Sequence, residues 1–181
     1  LEGLPSSDAR GELSKYTEIL RAHGHPHPVF ELAIRWLADN VPPSQARCLV
    51  HGDFRMGNLM VTPENGVVAI LDWELAHIGD PMEDLGWPCV PSWRFGQHQN
   101  PVGGFGQRED FYAAYEAAGG TVDCAAVRFW EILGTLKWGI MCTMMATAFT
   151  SGADRTVERA AIGRRASEAE IDLLRMLEGL D

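Results

Sequence analysis

The first forty residues alternate between helical periodicity and proline-marked breaks. Leu13, Tyr16 and Leu20 recur at three- and four-residue steps, which predicts a helix over residues 8–22 with Gly24 as its stop. His25-Pro26-His27-Pro28 interrupts that pattern, and Pro28 suits the first turn of a second helix, where its missing N–H costs little. Val29, Leu32, Ala33, Trp36 and Leu37 then follow the i, i+3, i+4, i+7, i+8 spacing of one buried face, and Pro42-Pro43 ends the run. The pattern changes in the middle of the chain. Cys48-Leu49-Val50 reads as a short strand. Leu59-Met60-Val61 and residues 67–71 are strand-like, and Thr62-Pro63-Glu64-Asn65-Gly66 between them carries turn chemistry, which predicts a β-hairpin. Residues 81–86 suit a short helix. Residues 88–106 hold three prolines and four glycines and read as a long loop, of a kind more often functional than not. The last third returns to helix: 109–118 up to Gly119-Gly120, 123–149 as one helix or two, and roughly 155–179 as another. The pattern predicts an α+β chain, mainly helical, forming a single domain over residues 1–181 with a small central hairpin.

Composition narrows the function classes. An apolar fraction of 46% is ordinary for a globular domain. The formal charge of −10 argues against a nucleic-acid or anionic-membrane partner, because phosphate surfaces recruit basic ones. Cys48, Cys89, Cys124 and Cys142 form no CxxC pair, and the N-terminus is not signal-like, which predicts a reducing, cytoplasmic setting. Residues 127–149 are strongly apolar, but Arg128, Glu131 and Lys137 interrupt them, which favours a core helix over a membrane span. Trp36, Trp130 and Trp138, with Met141, Met144 and Met145, read as packing residues. His23, His25 and His27 sit in a helix break and read as exposed, without a ligand role.

The candidate chemistry sits around the hairpin. His51-Gly52-Asp53-Phe54-Arg55-Met56-Gly57-Asn58 is followed, fourteen residues after Asn58, by Asp72-Trp73-Glu74. Phosphoryl transfer from a nucleotide needs a carboxylate to accept the acceptor's proton and a few protein oxygens to hold Mg²⁺, with room left for phosphates and water. Asp53 lies on a loop between strands, where it can face a substrate. Asn58 just before one hairpin strand and Asp72 at the end of the other are brought together by the hairpin, although far apart in sequence.

The Asp-to-Asn step of five residues is that of the protein-kinase catalytic loop, with Gly52 in place of its Arg and Asp72-Trp73-Glu74 in place of Asp-Phe-Gly. Together with the run from Ile70 through Asp80-Pro81 and with Asp84-Leu85-Gly86, this resembles the aminoglycoside phosphotransferase and choline kinase family, and within it the branch of small-molecule kinase domains also found joined to acyl-CoA dehydrogenases. The resemblance is strong over residues 48–87 and looser over 28–47. It implies the C-terminal lobe of a protein-kinase-like fold. It further implies Asp53 as catalytic base, Asn58 and Asp72 as magnesium ligands, His51 bracing the loop and Glu74 near the metal or the phosphates. Asp80 is expected to cap the helix at Pro81, and Asp84 to anchor the loop. Trp93, Phe95 and Phe105 are candidates for substrate contact.

The family's N-terminal lobe is a sheet with one helix that covers the nucleotide and supplies a lysine. The two lysines here, Lys15 and Lys137, both fall in helical patterns, and Gly103-Gly104-Phe105-Gly106 follows the motif with no strand before it. The expectation is therefore a C-terminal lobe alone, whose intact protein moves the γ-phosphate of ATP or GTP to a hydroxyl of a small molecule. Aminoglycoside, choline-like alcohol, sugar and hydroxyacyl acceptors all stay open. The face left by the missing lobe is expected to be apolar and available for dimerisation. Two other readings stand beside this one: a non-catalytic binding or regulatory module that kept the fold, and a metal-dependent hydrolase using Asp53 to activate water. The lack of a histidine cluster at the motif counts against a zinc form of the latter.

Overall fold

The computed structural model describes residues 3–43 and 47–180. Its backbone divides into two compact units, Leu1–Ala9 with Pro42–Glu131, and Arg10–Val41 with Ile132–Asp181.

The second unit is helical. Helix α1, Ala9–His23, belongs to it from Arg10 onward and ends at Gly24, whose φ of +77° a residue with a side chain rarely adopts. Helix α2, Pro28–Asp39, begins on its proline as expected. Its buried face is not the expected one: Phe30, Ala33, Ile34 and Leu37 point inward, Leu32 is exposed, and Val29 and Trp36 are half-buried. Eight of its residues are apolar, so two helical stripes compete, and the packing partner decides between them. That partner is the C-terminal helix α7, Ala166–Glu178, with Gly139 beside it. A side chain at position 139 would come within 2.6 Å of the Phe30 ring, so the glycine makes the hollow that Phe30 fills. Residues 155–179 form two helices rather than one, α6 at Val157–Gly163 and α7. Thr156 caps α6 through the amide of Arg159, and Gly163 closes it against the backbone of Ala146, where a Cβ would approach to 2.8 Å. His27 is bonded to Glu170 at 3.1 Å and His23 to the Thr147 hydroxyl at 2.6 Å, so both serve packing.

The first unit carries two small antiparallel sheets. Strands β2, Leu59–Thr62, and β3, Gly66–Ile70, form the expected hairpin, with a bulge between Met60 and Val61. Strand β1, Cys48–Val50, pairs with β4, His77–Gly79, in the register Leu49 opposite Ile78. The sequence pattern does not single out β4, whose three residues include one aliphatic side chain. Residues 5–7 extend this sheet, since Ile78 N–H donates to Pro5 O and Ser7 N–H to Ile78 O. Helices α3, Met82–Gly86, and α4, Arg108–Ala117, follow.

Between α3 and α4 the expected loop is tighter than its composition suggests. Residues 87–89 and 91–94 form short 3-10 turns, and residues 87–94 are all buried. The anchor is electrostatic. Glu131, fully buried, accepts from Arg94 at 3.1 Å, from both ends of the Arg108 fork at 2.8 and 2.9 Å, and from Arg128 at 3.4 Å. Burial opposes the charge on Arg108, but its bonds to Glu131 win, and its pKa is raised.

Helix α5, Cys124–Thr150, is one helix, apolar on nearly all sides. Length and composition alone would let it cross a membrane, yet half of its most apolar stretch is buried in the fold. Trp130 and Trp138 are buried as expected, Met141 and Met145 are half-buried, and Met144 is exposed instead of packed.

The four cysteines are free: Cys48 and Cys124 exposed, Cys89 and Cys142 buried. Burial pushes the Cys89 thiol up to about 12 and the Cys142 thiol up to about 11. A thiol-disulfide reagent at pH 8 is expected to titrate the two exposed thiols in the native chain and all four in denaturant. Rapid reaction of all four without denaturant would contradict the packing around Cys89.

Candidate active site

Strand β1 ends at Val50, buried, and delivers His51 into the interior. The chain then turns at Gly52, whose φ is +80° and whose missing side chain leaves room for the Leu75 carbonyl, 2.8 Å from where a Cβ would stand. Asp84 on α3 holds the turn, its two carboxylate oxygens accepting from His51 N–H at 2.6 Å and Gly52 N–H at 3.0 Å. Burial raises the pKa of Asp84, and these two backbone bonds oppose the rise. The anchoring role expected of Asp84 is thus present. So is the capping role of Asp80, which accepts from Met82 N–H at 2.9 Å and Trp130 Nε1 at 3.1 Å. A Gly52→Ala substitution is expected to cost about 1–3 kcal/mol of stability, combining positive-φ strain with the Leu75 contact. Urea denaturation reads this directly, and a loss below a few tenths of a kcal/mol would mean the turn has slack.

His51 ties the loop to the hairpin. Its Nδ1 accepts from Asp53 N–H at 3.2 Å, so Nε2 carries the proton and donates to Leu71 O at 2.8 Å. Leu71 N–H in turn donates to Asn58 O at 2.8 Å. The Asn58 side-chain amide donates to Asp53 O at 2.9 Å and to Asp53 Oδ2 at 2.8 Å. His51, Asp53, Asn58 and the peptide just before Asp72 therefore form one closed network, which is how the structure joins residues that the sequence separates.

Asp72 follows in a left-handed conformation, φ +66° and ψ +59°. Non-glycine residues seldom hold this conformation outside sites where the surroundings enforce it. The enforcement is visible: Leu71 is bonded on both sides, and Trp73 Nε1 donates to Ile70 O at 2.9 Å with its ring 4.6 Å from that of His51. Asp72 and Glu74 are exposed.

The donor set fits magnesium. Because both atoms facing the Asn58 amide nitrogen are acceptors, its Oδ1 must point the other way, and among the described residues it has no partner. The Asp72 carboxylate is likewise without one. An amide oxygen and a carboxylate are hard ligands, and two protein ligands leave positions for phosphate and water. Among the described residues no cluster of three His, Cys, Asp or Glu is placed to hold a metal.

Two residues at the site escaped the sequence reading. Trp87 Nε1 donates to Asp53 Oδ1 at 2.7 Å, and Arg55 Nε lies 3.2 Å from both Asp53 oxygens. Arg55 stood inside the motif, two residues from Asp53; Trp87 has no local signal at all. Of the three aromatic candidates, Trp93 is buried, with its ring 5.4 Å from Trp87 and 5.1 Å from the Arg55 guanidinium. Phe95 and Phe105 stand out into solvent, 63% and 61% exposed. A mostly apolar cavity of about 310 Å³ adjoins His51, lined by Leu49, Phe54, Ile70, Trp73, Phe111 and Tyr115, with Asp84 also on its wall.

A mainly helical chain with two small sheets and this loop-and-hairpin network has the makeup of a phosphotransferase of kinase-like fold. The sequence profile of the phosphotransferase enzyme family (APH) matches residues 5–130, and the chain belongs to that family. It is 47% identical over 64 residues to acyl-CoA dehydrogenase family member 10 of Mus musculus, covering 35% of this chain and 6% of that protein. It is 34% identical over 115 residues to acyl-CoA dehydrogenase family member 11 of Rattus norvegicus, covering 58% of this chain and 15% of that protein. The chain thus spans a small part of these curated relatives. Among solved structures it is similar to a protein of Ralstonia eutropha JMP134 provisionally described as an aminoglycoside phosphotransferase, with TM-score 0.78 and 23% identity over 97% of this chain and 57% of that one. It is also similar to a type I macrolide 2'-phosphotransferase, with TM-score 0.58 and 19% identity over 94% of this chain and 50% of that one. At these identities the likeness concerns the fold.

Proposed function

We propose that this chain is the C-terminal, catalytic lobe of a kinase-like enzyme that moves the γ-phosphate of ATP or GTP to a hydroxyl of a small molecule. The observation that carries the reading is the closed network of His51, Asp53, Asn58 and the peptide before Asp72. Asp53 takes the proton of the acceptor hydroxyl as that oxygen bonds to the transferred phosphorus and the bond from phosphorus to the leaving nucleoside diphosphate breaks. Asn58 Oδ1 and the Asp72 carboxylate hold magnesium, with Glu74 close in sequence to assist. Bound magnesium supplies positive charge to the phosphate oxygens. His51 keeps Asp53 and Asp72 in register and takes no part in the chemistry.

The lobe assignment has separate support. Met60, Val61, Val67, Val68, Leu71 and Trp73, on and beside the hairpin, are 45% to 65% exposed. So many exposed apolar side chains beside a site suit a covering partner, and a preceding strand-rich lobe that closes over the nucleotide is the partner we assign. The structural relatives also extend well beyond this chain, which covers 57% and 50% of them. Because the chain matches only 6% and 15% of relatives named for a dehydrogenase, we read that activity as belonging to another part of those proteins. A reducing, cytoplasmic location completes the proposal, with ATP or GTP as the donor.

Nucleotide binding by the intact protein tests it. Calorimetry is expected to give magnesium-dependent affinity for ATP or GTP that falls about tenfold or more in Asp72→Ala. Affinity unchanged by that substitution would remove Asp72 from the metal site.

A further inference from the structure

Three donors hold the carboxylate of Asp53. Oδ1 accepts from Trp87 Nε1 at 2.7 Å, Oδ2 accepts from Asn58 Nδ2 at 2.8 Å, and Arg55 Nε bridges both oxygens at 3.2 Å. A carboxylate offers about four lone-pair positions, three donors share them, and the single Arg55 N–H straddles the edge between the two oxygens. An acceptor hydroxyl that approaches along that bridged edge meets a donor that has to leave. Trp87 is buried, and Asn58 is buried and bonded to the Asp53 backbone as well. Arg55 is the donor free to go: its side chain is 31% exposed, its two contacts are the longest of the set, and its stem is flexible. Its guanidinium also has a platform, the Trp93 ring at 5.1 Å.

We propose that Arg55 is a latch on the base, drawn off Asp53 by an anionic group of the acceptor, so that this site takes hydroxyl compounds bearing a carboxylate or a phosphate. The proposal rests on Asp53 being the base. A neutral acceptor would have to break the Arg55–Asp53 ion pair with nothing to offer the cation, whereas an anionic one re-pairs it on Trp93. Through Trp93 the guanidinium belongs to the loop of residues 87–95, not to the strand end that carries Asp72. That assigns its anion to the acceptor and not to the nucleotide.

The side-chain Nε–H resonance of Arg55 in the ¹⁵N-labelled 181-residue chain reads the latch directly, assigned by its loss in Arg55→Lys. Glycerate and glycerol 3-phosphate, at matched ionic strength, are expected to shift it saturably while glycerol does not, and comparing the two anions tells carboxylate from phosphate. A resonance unmoved by both anions would overturn the proposal. In the intact protein, Arg55→Gln is expected to raise KM for anionic acceptors about tenfold or more and to lower it for neutral ones, which no longer have an ion pair to break, with partial recovery of the anion preference in Arg55→Lys. Equal loss for both acceptor kinds would make Arg55 a structural residue only. If no hydroxyl compound is phosphorylated at all, the phosphotransfer reading fails, and the resonance still decides the latch.

Discussion

Asp53→Asn is expected to lower the phosphotransfer rate of the intact protein by about a thousandfold, within the range that general-base removal produces. The shape of the side chain is kept, but its chemistry is not. Asp53 is surrounded by donors only: Trp87 Nε1, Asn58 Nδ2 and Arg55 Nε. An amide there must present its own N–H₂ to one of them, so stability is expected to fall as well, by about 1–3 kcal/mol. Two measurements separate the effects. Magnesium-dependent nucleotide affinity should stay within about twofold, since Asn58 and Asp72 are untouched. Turnover within tenfold of the parent would mean that another group takes the proton.

The largest effect on stability is expected at Glu131, distant in sequence from every catalytic candidate. Glu131→Ala leaves Arg94, which is 5% exposed, with Arg108 and Arg128 sharing a site that has lost its counter-charge. Removing one partner of a buried ion cluster costs about 3–5 kcal/mol. Urea denaturation should show it as a lower midpoint at unchanged slope. The same substitution frees the segment holding Trp87 and Trp93, so the aromatic wall beside Asp53 should loosen too. A loss under about 1 kcal/mol would mean that water already screens these arginines.

These two sites also mark how far the residue pattern could be read. The expected hairpin between Asn58 and Asp72 is present, because the turn chemistry of residues 62–66 acts locally. Helix α1 began and ended within a residue of its sequence signals, and α2 began at Pro28 and ended three residues short of Pro42, since Gly24 and the prolines act locally. What stayed hidden depends on partners far along the chain. The face of α2 was decided by Gly139, the burial of residues 87–94 by Glu131, and the orientation of Asp53 in part by Trp87, 34 residues away. Strand β4 exists because β1 and residues 5–7 flank it, not because its own residues prefer extension.

The left-handed backbone at Asp72 restricts how this family member can decay. On the proposed reading, two demands meet at one position: an oxygen ligand for magnesium, and a φ of +66° that only aspartate, asparagine and glycine tolerate well. Most single-base changes of an aspartate codon, to valine, alanine, tyrosine, histidine or glutamate, would damage the fold and the metal site together. Asp72→Gly alone among them keeps the backbone while deleting the ligand. A lineage that lost catalysis but kept a usable fold would pass most easily through that change, so the residue at position 72 is where a population of such genes would first record the end of phosphoryl transfer.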